Sequence, residues 1–278
     1  MSATLGGIVL AGGRSSRMGS PKATLDWHGM PLIERAVRIL ARATCGPVVV
    51  VRAAGQAQPP LPRETIVVDD DLPEGGVLAG IACGLRALAP LVEVAYASAT
   101  DAPHLHPAFV RRVLAAVSGA VEIALPDAQG HVHPLAAAYR TTLAVPAAAL
   151  VEQGLLRPAF LFERSRTQIL HERDLLADGA VARCDPSLES LVNINEPHDY
   201  RRALARPLPR VVVERGGSRR ELAAATIADI EGVPGTLEMI SLNGEPTRID
   251  ARFPLAHGDV LRLATPNVHD SVRSAPRP

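Results

Sequence analysis

The chain has 278 residues, 47% hydrophobic, 21% charged and only 3% aromatic, and its 29 basic and 29 acidic side chains balance to zero net charge. Those proportions exclude extended disorder, and so few rings exclude single-stranded nucleic-acid binding by base stacking. Neutrality gives no general attraction to nucleic acid or anionic membrane, so a phosphate ligand must be held by a few placed cations.

The length predicts a main domain of about 200 residues and a smaller one. Cys45, Cys83 and Cys184 are odd in number and far apart, which predicts reduced thiols rather than a disulfide framework or a zinc site. No basic region precedes Ile8-Val9-Leu10, so the start does not read as a signal peptide. No apolar run approaches the roughly 20 residues that span a bilayer. The expectation is a soluble, cytoplasmic protein.

Short β-branched runs alternate with amphipathic stretches over the first part of the chain, the pattern of a parallel sheet covered by helices. Gly7 to Leu10 reads as the first strand. Pro31 to Ala43 is a helix with apolar positions at Leu32, Ile33, Ala36, Val37 and Leu40 and with Pro31 suited to its first turn. Pro47 to Val51 and Ile66 to Val68 are strands apolar enough to be buried on both faces. Leu78 to Leu88 is a helix, Val94 to Ala97 a strand, Pro107 to Val117 a helix and Val121 to Leu125 a fifth strand. Pro134 to Tyr139 reads as an antiparallel strand and Leu143 to Gln153 as a helix, while Leu155 to Leu191 has no clear period. Two prolines in residues 206–210 mark a linker between a domain over 1–205 and a small one over 211–266, with 267–278 as a flexible tail. In the small domain, Val211 to Val213 is a strand, Arg220 to Ile230 a helix, and Leu237 to Leu242 and Val260 to Leu263 further strands.

The first strand runs into Leu10-Ala11-Gly12-Gly13-Arg14-Ser15-Ser16-Arg17-Met18-Gly19-Ser20-Pro21-Lys22. Adjacent glycines let the backbone approach a ligand and aim amides at it, and Arg17 and Lys22 supply charge for a polyphosphate. The loop lacks both the Gly-Lys-Ser/Thr of a P-loop and the Gly-x-Gly-x-x-Gly of a dinucleotide site. A second constellation is Asp69-Asp70-Asp71 with Gly76 and Gly80 at the opening of the following helix: either a nucleoside contact or a solvated acidic turn. Asp101 ends an apolar strand, where an open α/β sheet gathers its ligands, and a carboxylate there can hold Mg²⁺. The other role for Asp101, capping the helix that opens at Pro107, fails on distance. His131 and His133 read as a metal pair or a solvated hairpin, and Asn193 and Asn195 as site residues or helix caps.

Leu10 to Lys22 closely resembles the glycine-rich signature of the molybdenum cofactor guanylyltransferases, within the nucleotidyltransferase superfamily, and the resemblance extends over about the first 200 residues. It implies a Rossmann-like three-layer α/β domain with a mostly parallel sheet, and Mg²⁺-dependent transfer of GMP from GTP to molybdopterin or its molybdenum form. By matching position, Arg17, Lys22 and Asp101 are catalytic and Asp101 holds the metal. Leu10, Ala11, Gly12, Gly13, Gly19, Lys22, Asp70, Gly76 and Gly80 bind the nucleotide, with Asp69 the alternative to Asp70. His133, Asn193 and Asn195 border the acceptor. Gly12 matches the guanylyl signature and Pro21 the cytidylyl group, so CTP is the alternative donor and a sugar phosphate the alternative acceptor. A nucleotide-binding scaffold is the non-enzymatic alternative.

The tail, with Asn243-Gly244 and Gly258-Asp259 turns, resembles the β-grasp sulfur carriers, an α+β fold. Their terminal Gly-Gly is replaced by Ser274-Ala275-Pro276-Arg277-Pro278, which argues against sulfur transfer and leaves docking of a molybdenum cofactor pathway protein as the expected role.

Overall fold

A computed structural model of the protein describes residues 3–12, 21–71, 75–231, 233 and 238–263. The chain forms two compact units, Met1–Arg206 and Pro207–Pro278. The first unit contains β1 (Leu5–Leu10), β2 (Asp26–Trp27), β3 (Met30–Pro31), α1 (Leu32–Thr44), β4 (Val48–Ala53), β5 (Ile66–Asp70), α2 (Gly76–Leu88), β6 (Val94–Ala99), α3 (Pro107–Ala115), β7 (Ile123–Ala128), β8 (His131–Val132), β9 (Ala136–Arg140), α4 (Ala144–Glu152), α5 (Ala159–Glu163), β10 (Thr167–His171), α6 (Glu172–Leu176), α7 (Gly179–Cys184) and α8 (Pro197–Leu204).

Its main sheet has the order β10-β7-β9-β6-β1-β4-β5. Neighbours pair parallel except around β9, which runs antiparallel between β6 and β7, and the short β8. This is the mostly parallel α/β sheet that the alternating pattern predicts, with the antiparallel strand where Pro134 to Tyr139 placed it. Alternate residues of each strand point to opposite faces. Val9, Val48 and Val50 join a core under α1, α3, α6 and α7, while Ile8, Val49 and Val51 join a second core under α2, α4 and α5.

Glycines set how closely the helices lie on β1, the strand that feeds the glycine-rich loop. A Cβ on Gly84 would lie 2.6 Å from Ile8 Cγ2, one on Gly80 3.0 Å from Leu10 Cδ1, and one on Gly7 2.8 Å from Leu40 Cβ. A side chain at Gly7 or Gly84 would force Leu40 or Ile8 aside and strain the packing of α1 or α2 on the strand, and one at Gly80 would need Leu10 to give by a few tenths of an ångström.

Two expectations for this unit are corrected. The β5 strand is the sheet edge and is only half covered, with Val67 38% exposed, because among the described residues no further strand pairs beyond it. The segment without clear period resolves into α5, β10, α6 and α7, pieces of five or six residues that are too short to show a helical or strand repeat.

The second unit contains β11 (Arg210–Arg215), β12 (Ser218–Ala223), β13 (Glu238–Leu242), β14 (Glu245–Ile249) and β15 (Val260–Leu263) in the order β12-β11-β15-β13-β14. The central pair β11 and β15 is parallel and the rest antiparallel. The helix expected over Arg220 to Ile230 is absent: its first residues form β12 and Ile227–Asp229 makes a single 3-10 turn. Gly216 and Gly217, with φ of 55° and 79°, close a two-residue hairpin that pairs the polar run Ser218 to Glu221 against β11. Asn243 and Gly244, with φ of 54° and 94°, form the same kind of turn between β13 and β14. Among the described residues, no helix is long and apolar enough to cross a membrane. The three cysteines are free thiols.

Candidate active site

The strands β1 and β6 are adjacent and in parallel register, Leu10 opposite Ala99, so the segments that leave them emerge together at the carboxyl edge of the sheet. Ala11 and Gly12 follow β1. The Ala11 N–H donates to Val51 O at 2.8 Å, and Gln56 donates from Nε2 to Ala11 O at 3.2 Å while its Oε1 accepts from Ala53 N at 3.1 Å. Gln56 thus ties the exit of β1 to that of β4. Nothing in the run Ala54-Gly55-Gln56-Ala57 signals this role. Gly13, Arg17 and Gly19 lie outside the described residues.

Pro21 is extended and starts a tight turn in which Thr24 N and Oγ1 both donate to Pro21 O, fixing Lys22 at the first position of a 3-10 turn. Lys22 Nζ lies 2.7 Å from Asp101 Oδ2 and 3.1 Å from Asn195 Oδ1. The ion pair is mostly enclosed, with side-chain exposures of 19% and 15%. Lys22 is the only lysine in the sequence; the other 28 of the 29 basic side chains are arginines. A lysine carries a compact charge that swivels between partners, where arginine presents a rigid planar fork.

Asp101 is held by its backbone as well, since Ile194 N donates to Asp101 O at 2.8 Å. Its Oδ1 is buried without a hydrogen-bond partner. It caps no helix: His106 is the N-cap of α3, its Nδ1 accepting from Ala108 N at 3.0 Å.

Asn195 reaches Lys22 because the chain returns across the molecule after α7. Trp27, Leu32, Ile194 and Ala203 form a small separate core, and Tyr200 Oη donates to Asp26 O, so α8 is fastened to the β2–β3 hairpin that follows Lys22. Glu196 and Asp199 cap α8 reciprocally, so capping falls to neither asparagine. Asn193 is exposed.

At the neighbouring edge, Asp69 is engaged by Arg52 Nε at 2.7 Å, and Asp70 is the last residue of β5. Gly76 opens α2 with a φ of 65°, which favours glycine, whereas Gly80 is buried against Leu10. His133 is buried between β8 and β9, its Nε2 3.0 Å from Ala128 O and its ring 4.1 Å from that of His131. Burial pushes its pKa down. Sequence reasoning passed over His104, whose Nε2 is buried without a partner beside the edge of Trp27 at a ring separation of 5.2 Å. Burial, then the charge of Arg206, lowers its pKa to about 4.

Residues 7–169 match the MobA-like NTP transferase domain. The chain belongs to this family. As a member of the MobA-like NTP transferases it is a nucleotidyltransferase. It is 41% identical over 165 residues to the "Probable molybdenum cofactor guanylyltransferase" of Mycobacterium tuberculosis strain H37Rv, covering 58% of this chain and 80% of the relative. The protein of the same name from Mycobacterium ulcerans strain Agy99 is 38% identical over 181 residues, 64% of this chain and 86% of the relative. The crystal structure of molybdopterin-guanine dinucleotide biosynthesis protein A from Archaeoglobus fulgidus shares the fold, with a TM-score of 0.53, 23% identity, and coverage of 71% of this chain and 96% of that one. Asn195, α8 and the second unit lie beyond the family match.

Proposed function

We propose that the protein transfers GMP from GTP to the phosphate of molybdopterin or its molybdenum form, with release of pyrophosphate, in the cytosol. The observation that carries this reading is the Lys22–Asp101 pair at the carboxyl ends of β1 and β6, with Asp101 Oδ1 buried and unpartnered. The choice of acceptor is supported by the mycobacterial relatives named molybdenum cofactor guanylyltransferase.

The residues fit a hydrated Mg²⁺. Asp101 Oδ1 is a hard oxygen with no other partner, and Mg²⁺ is usually held by one or two carboxylates plus substrate phosphates and water. When bound there, it would neutralise charge on the triphosphate oxygens. The protein's own part is positioning and charge. Lys22 leaves Asp101 for the phosphates, with Arg17 as a second cation. Gly12, Gly13 and Gly19 bring backbone close to the nucleotide, with Leu10 and Ala11 leading into that loop. Asp70, the last residue of β5, contacts the nucleoside, with Asp69 the alternative. An acceptor phosphate oxygen attacks the α-phosphorus, the bond to the β-phosphate oxygen breaks, and pyrophosphate leaves with that electron pair. His133 and Asn193 border the acceptor. The second unit is read as a β-grasp-like dock for a molybdenum cofactor pathway protein.

Pyrophosphate release with each nucleoside triphosphate, with and without molybdopterin, tests the reading. Acceptor-dependent release with GTP is expected. Release with CTP alone would move the base assignment to the cytidylyl side that Pro21 resembles, and release without molybdopterin but with a sugar phosphate would move the acceptor.

A further inference from the structure

Helix α1 carries a residue on the wrong face. Its apolar positions put Arg35 toward solvent, yet Arg35 is only 8% exposed. The cover is the loop that leaves β6: Arg35 Nε donates to Pro103 O at 2.7 Å, two residues beyond Asp101. Burial, and then the charge of Arg42, lowers the guanidinium pKa to about 10, so it stays charged at neutral pH. Burying a cation whose hydrogen bond goes to a neutral carbonyl costs stability, and packing alone would be served better by leucine or methionine.

The connections at the two ends of that bond give it a purpose. Helix α1 is continuous with the Lys22 turn through the β2–β3 hairpin, and Leu32 N donates to Leu25 O at 2.9 Å at its start. Pro103 belongs to the loop that begins with Asp101, which is also tied to distant chain by Ile194 N on Asp101 O, by His106 N on Ser190 Oγ at 3.0 Å and by the His104 ring against Trp27. Arg35 therefore bridges the segment bearing Lys22 and the segment bearing Asp101, behind their charged groups. We infer that Arg35 is a positioning residue which sets the spacing of Lys22 and Asp101, and through it the fit of cation and triphosphate. The role of that spacing rests on the proposed function; the spacing itself does not.

The single lysine makes the test direct. Protein labelled with ¹⁵N-lysine gives one side-chain ammonium signal, and Asp101→Asn identifies how that signal moves when the pair is lost. Arg35→Met keeps the apolar stem and removes the donor. It should move the Lys22 signal toward its Asp101→Asn position and raise the half-saturating Mg²⁺ about tenfold, while the fold is retained. Arg35→Gln restores an N–H without charge and should lie between it and wild type. An Arg35→Met signal at the wild-type position overturns the inference, as does an Asp101→Asn variant that leaves the signal in place. Should Arg35→Met not fold, the Arg35→Gln signal is judged by the same rule. Absence of GMP transfer by the wild type would sink the proposed reaction while the ammonium signal still decides on Arg35.

Discussion

Lys22 and Asn195 lie 173 positions apart in sequence, and Lys22 Nζ donates to Asn195 Oδ1 at 3.1 Å. Asn195 therefore shares the ammonium with Asp101, and we propose for it a role on the nucleotide side in place of the expected one beside the acceptor. Asn195→Ala should raise the KM for GTP by about 3- to 10-fold, the scale of one hydrogen bond to a charged group, and leave the KM for acceptor nearly unchanged. Steady-state kinetics in both substrates separate the two roles, and a selective effect on acceptor would return Asn195 to the acceptor side.

Asp101→Ala should abolish magnesium-dependent turnover while the β6 strand persists, because the proposed role of its side chain is to hold the metal and His106, not Asp101, caps α3. Turnover across a magnesium titration, with circular dichroism as the folding check, measures this. Near-normal turnover in a folded variant would remove Asp101 from the site.

Lys22→Ala should slow transfer by about 10²–10³, the scale for one preorganised charge-stabilising donor. Since Lys22 is the only lysine, an amine-directed acylating reagent should inactivate the enzyme by modifying one side chain besides the terminal amine. GTP with Mg²⁺ should protect it. Peptide mass mapping with and without nucleotide reads both, and inactivation without modified Lys22 would contradict the assignment.

His104 gives a pH dependence of known sign. Its folded pKa, about 4, lies below the 6.5 of the free side chain, so between those values the unfolded chain binds more protons and stability falls as pH drops. The loss should approach roughly 2–3 kcal/mol by pH 4, at about 1.4 kcal/mol per unit. His104→Gln should flatten that part of the profile in urea unfolding from pH 7 to 4. Identical profiles for variant and wild type would show that other groups govern the acid limb.

Truncation after Arg206 should leave a folded enzyme that transfers GMP to free acceptor, because every residue assigned to the reaction precedes the cut. What should fall is efficiency when a partner protein delivers the acceptor, as tethered docking raises local concentration. Assays of both forms with free and delivered acceptor compare the two. Loss of transfer to free acceptor in a folded truncate would mean that the second unit completes the site.

The parts of this fold legible in sequence are those where one residue type recurs at one period. Val48 to Val51 and Ile8 to Leu10 announced buried strands, and Asn243-Gly244 announced its turn. Ser218 to Ala223 misled because a polar edge strand carries no apolar alternation, and its only signal was the preceding Gly216-Gly217. In the site, Lys22 and Asp101 were legible because glycine-rich loops and strand ends are local patterns. Gln56, His104 and Arg35 were not. Each acts through contacts with chain far away in sequence, Ala11, Trp27 and Pro103, and their neighbours give no local sign of them.

The return of the chain to Lys22 also fixes when the site can exist. During synthesis Lys22, Arg35 and Asp101 emerge early, but the Ile194 amide that holds Asp101 and the Asn195 carbonyl that shares the ammonium come only after β10, α6 and α7. At about 5–20 residues per second, that is a delay on the order of ten seconds. A contact of such sequence separation is slow to form even in the complete chain. Ribosome-bound chains that stop before Ile194 should lack both the Ile194 tie on Asp101 and the Asn195 contact to Lys22, so under the proposed function they should bind nucleotide poorly until the first unit is nearly whole.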